Sequence, residues 1–222
     1  MKSNDQLCSD VENELAWEPK LDESHISVSA KGGAVTMSGH VPAYMQKLSA
    51  VHAAERVYGV KAVADELEVR LAGSQVRDDT DIAESIAHIL TWNATVPEDV
   101  KAEVADGTVT LKGTANWEFQ RNEAGRSVRG VIGVRGVRNL IELKPRPGVP
   151  QAVESKVVER KIASAFGRQA SLDARRIHVN VHDSTAVLGG HVRSFAEERI
   201  ARNAAYAAPG ITKVENRLTI EP

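Results

Sequence analysis

Trp117, Phe119, Arg121, Arg126 and Arg129 form the strongest concentration of contact chemistry in the chain. Residues 112–146 carry 8 basic and 3 acidic side chains, within 222 residues whose formal net charge is −2. Arg126 and Arg129 stand three apart on a predicted helix, with Arg121 a further turn back. Residues two apart on a helix cannot both face inward, so one of Trp117 and Phe119 is expected at the surface. Cations beside an interfacial aromatic suit an anionic headgroup or an acidic partner, although a solvated polar face accounts for the same arginines.

Other reactive residue types lack the neighbours that chemistry needs. Cys8 follows Leu7 in an amphipathic stretch with no histidine nearby in sequence, which fits a half-buried small residue better than a nucleophile. His178 and His182 have the spacing of a helical metal pair, but they alternate with Ile177, Val179 and Val181. On a strand they are about 13 Å apart, too far for one ion to bridge. His40 and His191 share a position that holds Thr114 in between, and a turn or helix-start role is expected for them. Gly130, Gly133 and Gly136 fall at a helix end, and no Walker or dinucleotide-binding glycine pattern is present. With no nucleophile–base pair and no ligand cluster, neither an enzyme nor a metal or cofactor is expected.

The elements that position these residues recur three times. Gly39 and Gly59, Gly113 and Gly133, and Gly190 and Gly210 are each twenty residues apart. Ahead of each first glycine an alternating segment runs through Ile26, Val28 and Ala30, through Val100, Ala102 and Val104, and through Ile177, Val179 and Val181. That period marks a half-buried strand. A turn at Lys31-Gly32-Gly33, Asp106-Gly107 or Asp183-Ser184 leads into a second strand that the glycine closes, giving a β-hairpin. Next comes a helix with small and apolar residues three and four apart, such as Leu48, Val51, Ala54 and Val57. Its second glycine is expected just past the C-terminus in the left-handed conformation, and a last apolar strand follows.

A further helix precedes each hairpin. Leu7, Val11 and Leu15 lead to Trp17, Ile82, Ile86 and Leu90 lead to Trp92, and Val158 with Ile162 leads to Phe166, and these aromatics are expected to close three small cores. The unit is α-β-β-α-β and the fold class α+β, each small sheet covered on one face by two helices. The expected bounds are 1–73, 77–145 and 151–222, with Gly39, Gly59, Gly113, Gly133, Gly190 and Gly210 all structural.

The repeat reads Gly39…Gly59-Val60…Val63-Ala64-Asp65, then Gly113…Gly133-Val134…Val137-Arg138-Asn139, then Gly190…Gly210-Ile211…Val214-Glu215-Asn216. Over almost the whole chain this resembles the BON domain (bacterial OsmY and nodulation) family, with Ile211 for the usual valine and Asp65 for the usual asparagine. The resemblance implies a bacterial, non-enzymatic binding protein of osmotic or general stress that associates with phospholipid surfaces or envelope proteins. It also leaves open a small-ligand or potassium-sensing module.

Charge supports a different alternative, a self-associating protein-interaction scaffold or chaperone-like protein. Residues 1–74 hold 7 basic and 11 acidic side chains, residues 75–148 hold 10 and 11, and residues 149–222 hold 11 and 8. An acidic first unit could dock on the basic later units of another copy, so a homo-oligomer is one outcome. Nucleic acid is not expected as a partner. Ala72-Gly73-Ser74-Gln75 reads as a small polar linker and Pro145-Arg146-Pro147-Gly148-Val149-Pro150 as a stiffer one. One cysteine allows no internal disulfide, the first residues lack an apolar signal core, and no run approaches the ~20 apolar residues of a membrane span. A cytoplasmic protein, at most peripheral to a membrane, is the expectation.

Overall fold

The computed structural model describes residues 2–144, 155–169 and 172–221. The first repeat comprises α1 (Asn4–Ala16), β1 (Ile26–Lys31), β2 (Ala34–Val41), α2 (Tyr44–Arg56) and β3 (Ala62–Val69). The second comprises α3 (Asp79–Trp92), β4 (Lys101–Ala105), β5 (Thr108–Lys112), β6 (Thr114–Ala115), α4 (Glu118–Val128), β7 (Gly136–Asn139) and β8 (Glu142–Leu143). The third comprises α5 (Ser155–Gly167), β9 (Ile177–His182), β10 (Thr185–Val192), α6 (Phe195–Tyr206) and β11 (Lys213–Ile220). The proline-rich segment read as the second linker lies outside the described residues, whereas Gly73–Gln75 forms a short 3-10 turn.

Local signals set the helix starts. Ser3 Oγ accepts the Gln6 amide at 3.2 Å while the Gln6 side chain accepts the Ser3 amide at 3.0 Å, a complete capping box for α1. Asp78 caps α3 by accepting from the Asp81 amide. Ser194 caps α6 by accepting from the Glu197 amide, and Glu197 in turn accepts the Arg193 amide at 2.8 Å. In the second repeat α4 starts at Glu118, one residue after Trp117.

Each three-stranded sheet has the hairpin's second strand in the middle, in the orders β1-β2-β3, β4-β5-β7 and β9-β10-β11. The hairpins are antiparallel, but the last strand runs parallel to the middle one. Parallel pairing needs a crossover, which α2, α4 and α6 supply. One stripe of each first helix is fully buried at four-residue spacing: Leu7, Val11 and Leu15, then Ile82, Ile86 and Leu90, then Val158, Ile162 and Phe166. Facing residues of the middle strands, among them Val35 and Met37, Val109 and Leu111, and Ala186 and Leu188, complete the cores.

Two of the aromatics expected in these cores are outside them. Trp17 is 83% and Trp92 84% exposed, whereas Phe166 is 1% exposed. Phe166 stands in the place of Leu15 and Leu90. Trp17 and Trp92 come two residues later, about 200° around the helix, and that angle decides against their size.

Gly39 and Gly190 do not close their strands. They lie inside β2 and β10, which continue to Val41 and Val192, while in the second repeat Gly113 separates β5 from β6. Each has positive φ, 117° at Gly39, 126° at Gly113 and 107° at Gly190. A Cβ at Gly39 would stand 2.0 Å from the His25 carbonyl oxygen, and one at Gly190 would stand 2.1 Å from that of Arg176. Consequently His40 and His191 belong to strands, not to turns. His40 meets His25 edge to face at 4.5 Å between ring centroids, and His191 Nδ1 lies 3.0 Å from the Glu221 carboxylate.

The Asn or Asp that ends the repeat pattern has a common local bond. Asp65, Asn139 and Asn216 each accept the amide two residues on, from Leu67, Ile141 and Leu218, at 3.1, 3.2 and 3.1 Å. In the first two repeats the same side chain also ties the last strand to the crossover helix. Asp65 pairs with Lys47 at 3.2 Å, and Asn139 Nδ2 donates to the Arg121 carbonyl at 2.6 Å. A Cβ on Gly125 would stand 2.9 Å from Asn139 Nδ2, so this glycine leaves room for the amide. Asn139→Ala is expected to cost about 1–3 kcal/mol, because it leaves a half-buried carbonyl and amide without their partner. Urea titration checks this, and an unchanged midpoint would show that water replaces both bonds.

Candidate functional site

The five residues of the sequence-derived contact cluster are not all on one surface. Phe119 is 59% exposed, Trp117 is half-buried, and Arg126 is exposed. Phe119 and Arg126 are seven residues apart, two turns, and share the outer face of α4. Arg121 has the same two-turn relation to the buried Val128, which puts it on the sheet side of the helix, where its carbonyl receives Asn139. Arg129 is half-buried and follows the helix end.

Arg126 is already engaged. Its guanidinium donates twice to the Glu123 carboxylate, once at 2.9 Å through Nε, and Asn93 Nδ2 donates to the same carboxylate at 3.3 Å. These bonds, that of Arg126 foremost, hold the Glu123 carboxyl below the usual carboxylate range. The pair is exposed and therefore contributes little to stability. What remains outward is an aromatic ring and, two turns along the helix, a partly neutralised cation.

A second feature, not legible from motifs, occurs at the same place in more than one repeat. In the second repeat a groove of about 610 Å3 lies between α3 and the turn after α4, lined by Arg77, Asp81, Glu84, Ser85 and His88 with Val131 and Ile132. In the third a groove of about 570 Å3 lies between α5 and the end of α6, lined by Arg160, Lys161 and Arg168 over small apolar residues that include Ala165 and Ala208. Glu84 and Arg160 are equivalent positions, each two residues after the first residue of the buried stripe, and so are Ser85 and Lys161. Trp92 is equivalent to Arg168. The charge that the helix itself brings to the groove reverses between sister repeats, while Arg77, ahead of α3, donates to the Ser74 and Val76 carbonyls.

The first repeat has Ser9, Asp10 and Trp17 at these positions, and three acids on this side are matched internally. Asp10 pairs with Lys2 at 2.6 Å, and Glu14 and Glu18 pair with Arg56 at 2.9 and 3.2 Å. Lys2 also lies 5.4 Å from the centroid of the exposed Tyr58 ring. Repeat-by-repeat alignment of charge is the signal that would have found the groove; counting charge by thirds of the chain blurs it.

Among the described residues no three His, Cys, Asp or Glu side chains are grouped so as to hold a metal ion, and no helix is long and apolar enough to cross a membrane. Cys8 is half-buried on α1. His178 lies across Gly189, where a Cβ would come within 2.3 Å of its Nε2.

Comparison with known proteins places this geometry. The model of the BON domain family matches residues 3–70, 78–145 and 155–222. The chain is 32% identical over 143 residues to osmotically-inducible protein Y of Escherichia coli (strain K12), a match that covers 62% of this chain and 71% of that protein. Among solved structures, CdsD, a structural protein of the type III secretion system of Chlamydia trachomatis, aligns over 97% of this chain and 92% of its own at 17% identity, with a TM-score of 0.28. The PrgH periplasmic domain aligns over 89% and 95% at 10% identity, with a TM-score of 0.24. Those two scores are too low to carry any argument. The family match covers each of the three α-β-β-α-β repeats in turn, and the chain belongs to the BON domain family.

Proposed function

We propose that the chain is a non-enzymatic binding protein of osmotic or general stress, and that it associates with anionic phospholipid surfaces through the second repeat. The relative named for osmotic induction supports the stress setting. The observation that carries the surface reading is Phe119, a large exposed ring on the outer face of α4 with Arg126 two turns along on the same face. Trp92 extends the exposed aromatic character of this repeat. Interfacial aromatics sit at headgroup depth, and each basic residue near an anionic surface contributes about 1 kcal/mol, which salt screens. One such cation binds weakly, so the ring and avidity across copies must supply the remainder.

Co-sedimentation with vesicles of phosphatidylglycerol and phosphatidylcholine tests the reading. Phe119→Ala with Arg126→Glu is expected to lower the bound fraction about tenfold at low salt, with circular dichroism unchanged, since both residues are exposed. Arg121 is left intact because of its structural side. Equal sedimentation of variant and parent would remove α4 as the lipid contact.

A further inference from the structure

The third repeat's groove is electrostatically made for a partner unlike a membrane. Its helix α5 presents Lys156, Arg160 and Lys161, and the single acid of that helix, Glu159, is turned to the sheet, where its carboxylate accepts the Val181 amide at 2.8 Å. Arg168 extends the basic edge, and the floor is formed by small apolar side chains. No large hydrophobic side chain is exposed among the described residues of the third repeat, so this surface lacks the rings that would anchor it in a bilayer. A cationic groove over a shallow apolar floor matches an acidic helix that brings its own ring.

Such a helix exists on the same chain. α3 has three carboxylates and no Lys or Arg. Asp79 is occupied, accepting the Asp106 and Gly107 amides at 2.8 and 2.9 Å, which leaves Asp81 and Glu84 exposed on the outer face with Trp92. No ion pair among the described residues engages Asp81 or Glu84, whereas on α1 Asp10 and Glu14 are paired with Lys2 and Arg56, and the exposed Asp5 and Glu12 stand about 120–140° around the helix from Trp17. We infer that the third repeat's basic groove is a docking site for α3 of a second copy of this chain, with Asp81 and Glu84 against Arg160 and Lys161. The inference goes beyond the lipid reading and makes the self-associating scaffold specific, with the second repeat rather than the first as donor. Each copy carries both halves of the contact, so association is head to tail and grows beyond two copies unless a ring closes.

Sedimentation velocity on the full chain tests this. At low ionic strength the average mass is expected to rise with concentration, and at about 1 M salt, where charge acts over about 3 Å, it returns to that of one chain. Arg160→Glu with Lys161→Glu, and separately Asp81→Lys with Glu84→Lys, should each weaken association about 100-fold through like-charge contact. Mixed in equal amounts, these two charge-reversed variants should associate again. A parent that stays at one chain at low salt, or a mixture that stays at one chain, overturns the proposal. Should the first variant fail to fold, Arg168→Glu replaces it, with the same loss expected. If Arg160→Glu with Lys161→Glu loses binding to anionic vesicles while its mass behaviour matches the parent's, the groove is a lipid site and the proposal also falls. The α4 variant used for the lipid test leaves self-association unchanged on this inference, so the two readings fail independently.

Discussion

Gly39→Ala is expected to destabilise the first repeat by about 3–5 kcal/mol, and Gly190→Ala the third by as much. Two penalties act together. Positive φ with a Cβ costs roughly 1–2 kcal/mol, and forcing an atom into filled space adds typically 1–3 kcal/mol or more. Here the obstacle is backbone: the His25 and Arg176 carbonyl oxygens, at 2.0 and 2.1 Å from the new Cβ, cannot swing aside as a side chain would. The chain would have to pull β1 from β2, since Ile26 pairs with Gly39 at this point of the register.

Gly210→Ala is the control. It too has positive φ, at 86°, but a Cβ there meets nothing within 4 Å, so only the conformational penalty of about 1–2 kcal/mol should appear. Urea titration by circular dichroism gives the totals, and amide exchange across β1 and β2 or β9 and β10 locates the damage. A Gly39→Ala chain as stable as Gly210→Ala would show that the strand relaxes at no cost and that the close approach is incidental.

Phe166→Ala should cost about 3–5 kcal/mol, because a fully buried ring is replaced by a cavity in a core with few large groups. Trp17→Ala and Trp92→Ala, which remove larger rings, should each change stability by no more than about 0.5 kcal/mol, since both are more than four-fifths exposed. Thermal melting separates the two outcomes. For a unit of this length 1 kcal/mol corresponds to roughly 4–8 °C, so Phe166→Ala is expected to unfold the third repeat well below the parent and the tryptophan variants to melt with it. If Trp92→Ala falls as far as Phe166→Ala, its ring is packed in solution and cannot serve a partner.

That contrast also shows where sequence reasoning ends. The stripes Leu7-Val11-Leu15, Ile82-Ile86-Leu90 and Val158-Ile162-Phe166 are legible because a four-residue period is a local property of the helix. Treating Trp17 and Trp92 as their ends substitutes residue size for azimuth. The hairpins are legible from alternation, but the parallel last strand is not, because Val63 or Val214 reads the same in either direction. Nor is the place of Gly39 inside its strand, which depends on a carbonyl that arrives from fourteen residues earlier. For the contact cluster, charge and aromaticity on α4 could be counted, but which side of the helix Arg121 falls on depends on where the sheet meets α4, through residues such as Val128 and Asn139. The grooves were hidden for the same reason, each being shared between a helix and a turn far along the chain.

The groove positions stand on the outer flank of the helix, turned away from the buried stripe, where a change from Glu84 to Arg160 disturbs no packed atom. Duplication of such a unit separates two demands that a single domain must reconcile. The inward residues can stay as they are and keep every copy folded, while the flank is free to change sign. A chain of three therefore holds one rigid design and three independently adjustable terminals, and a new partner is reached by rewriting two or three flank residues in one copy while the other two keep theirs.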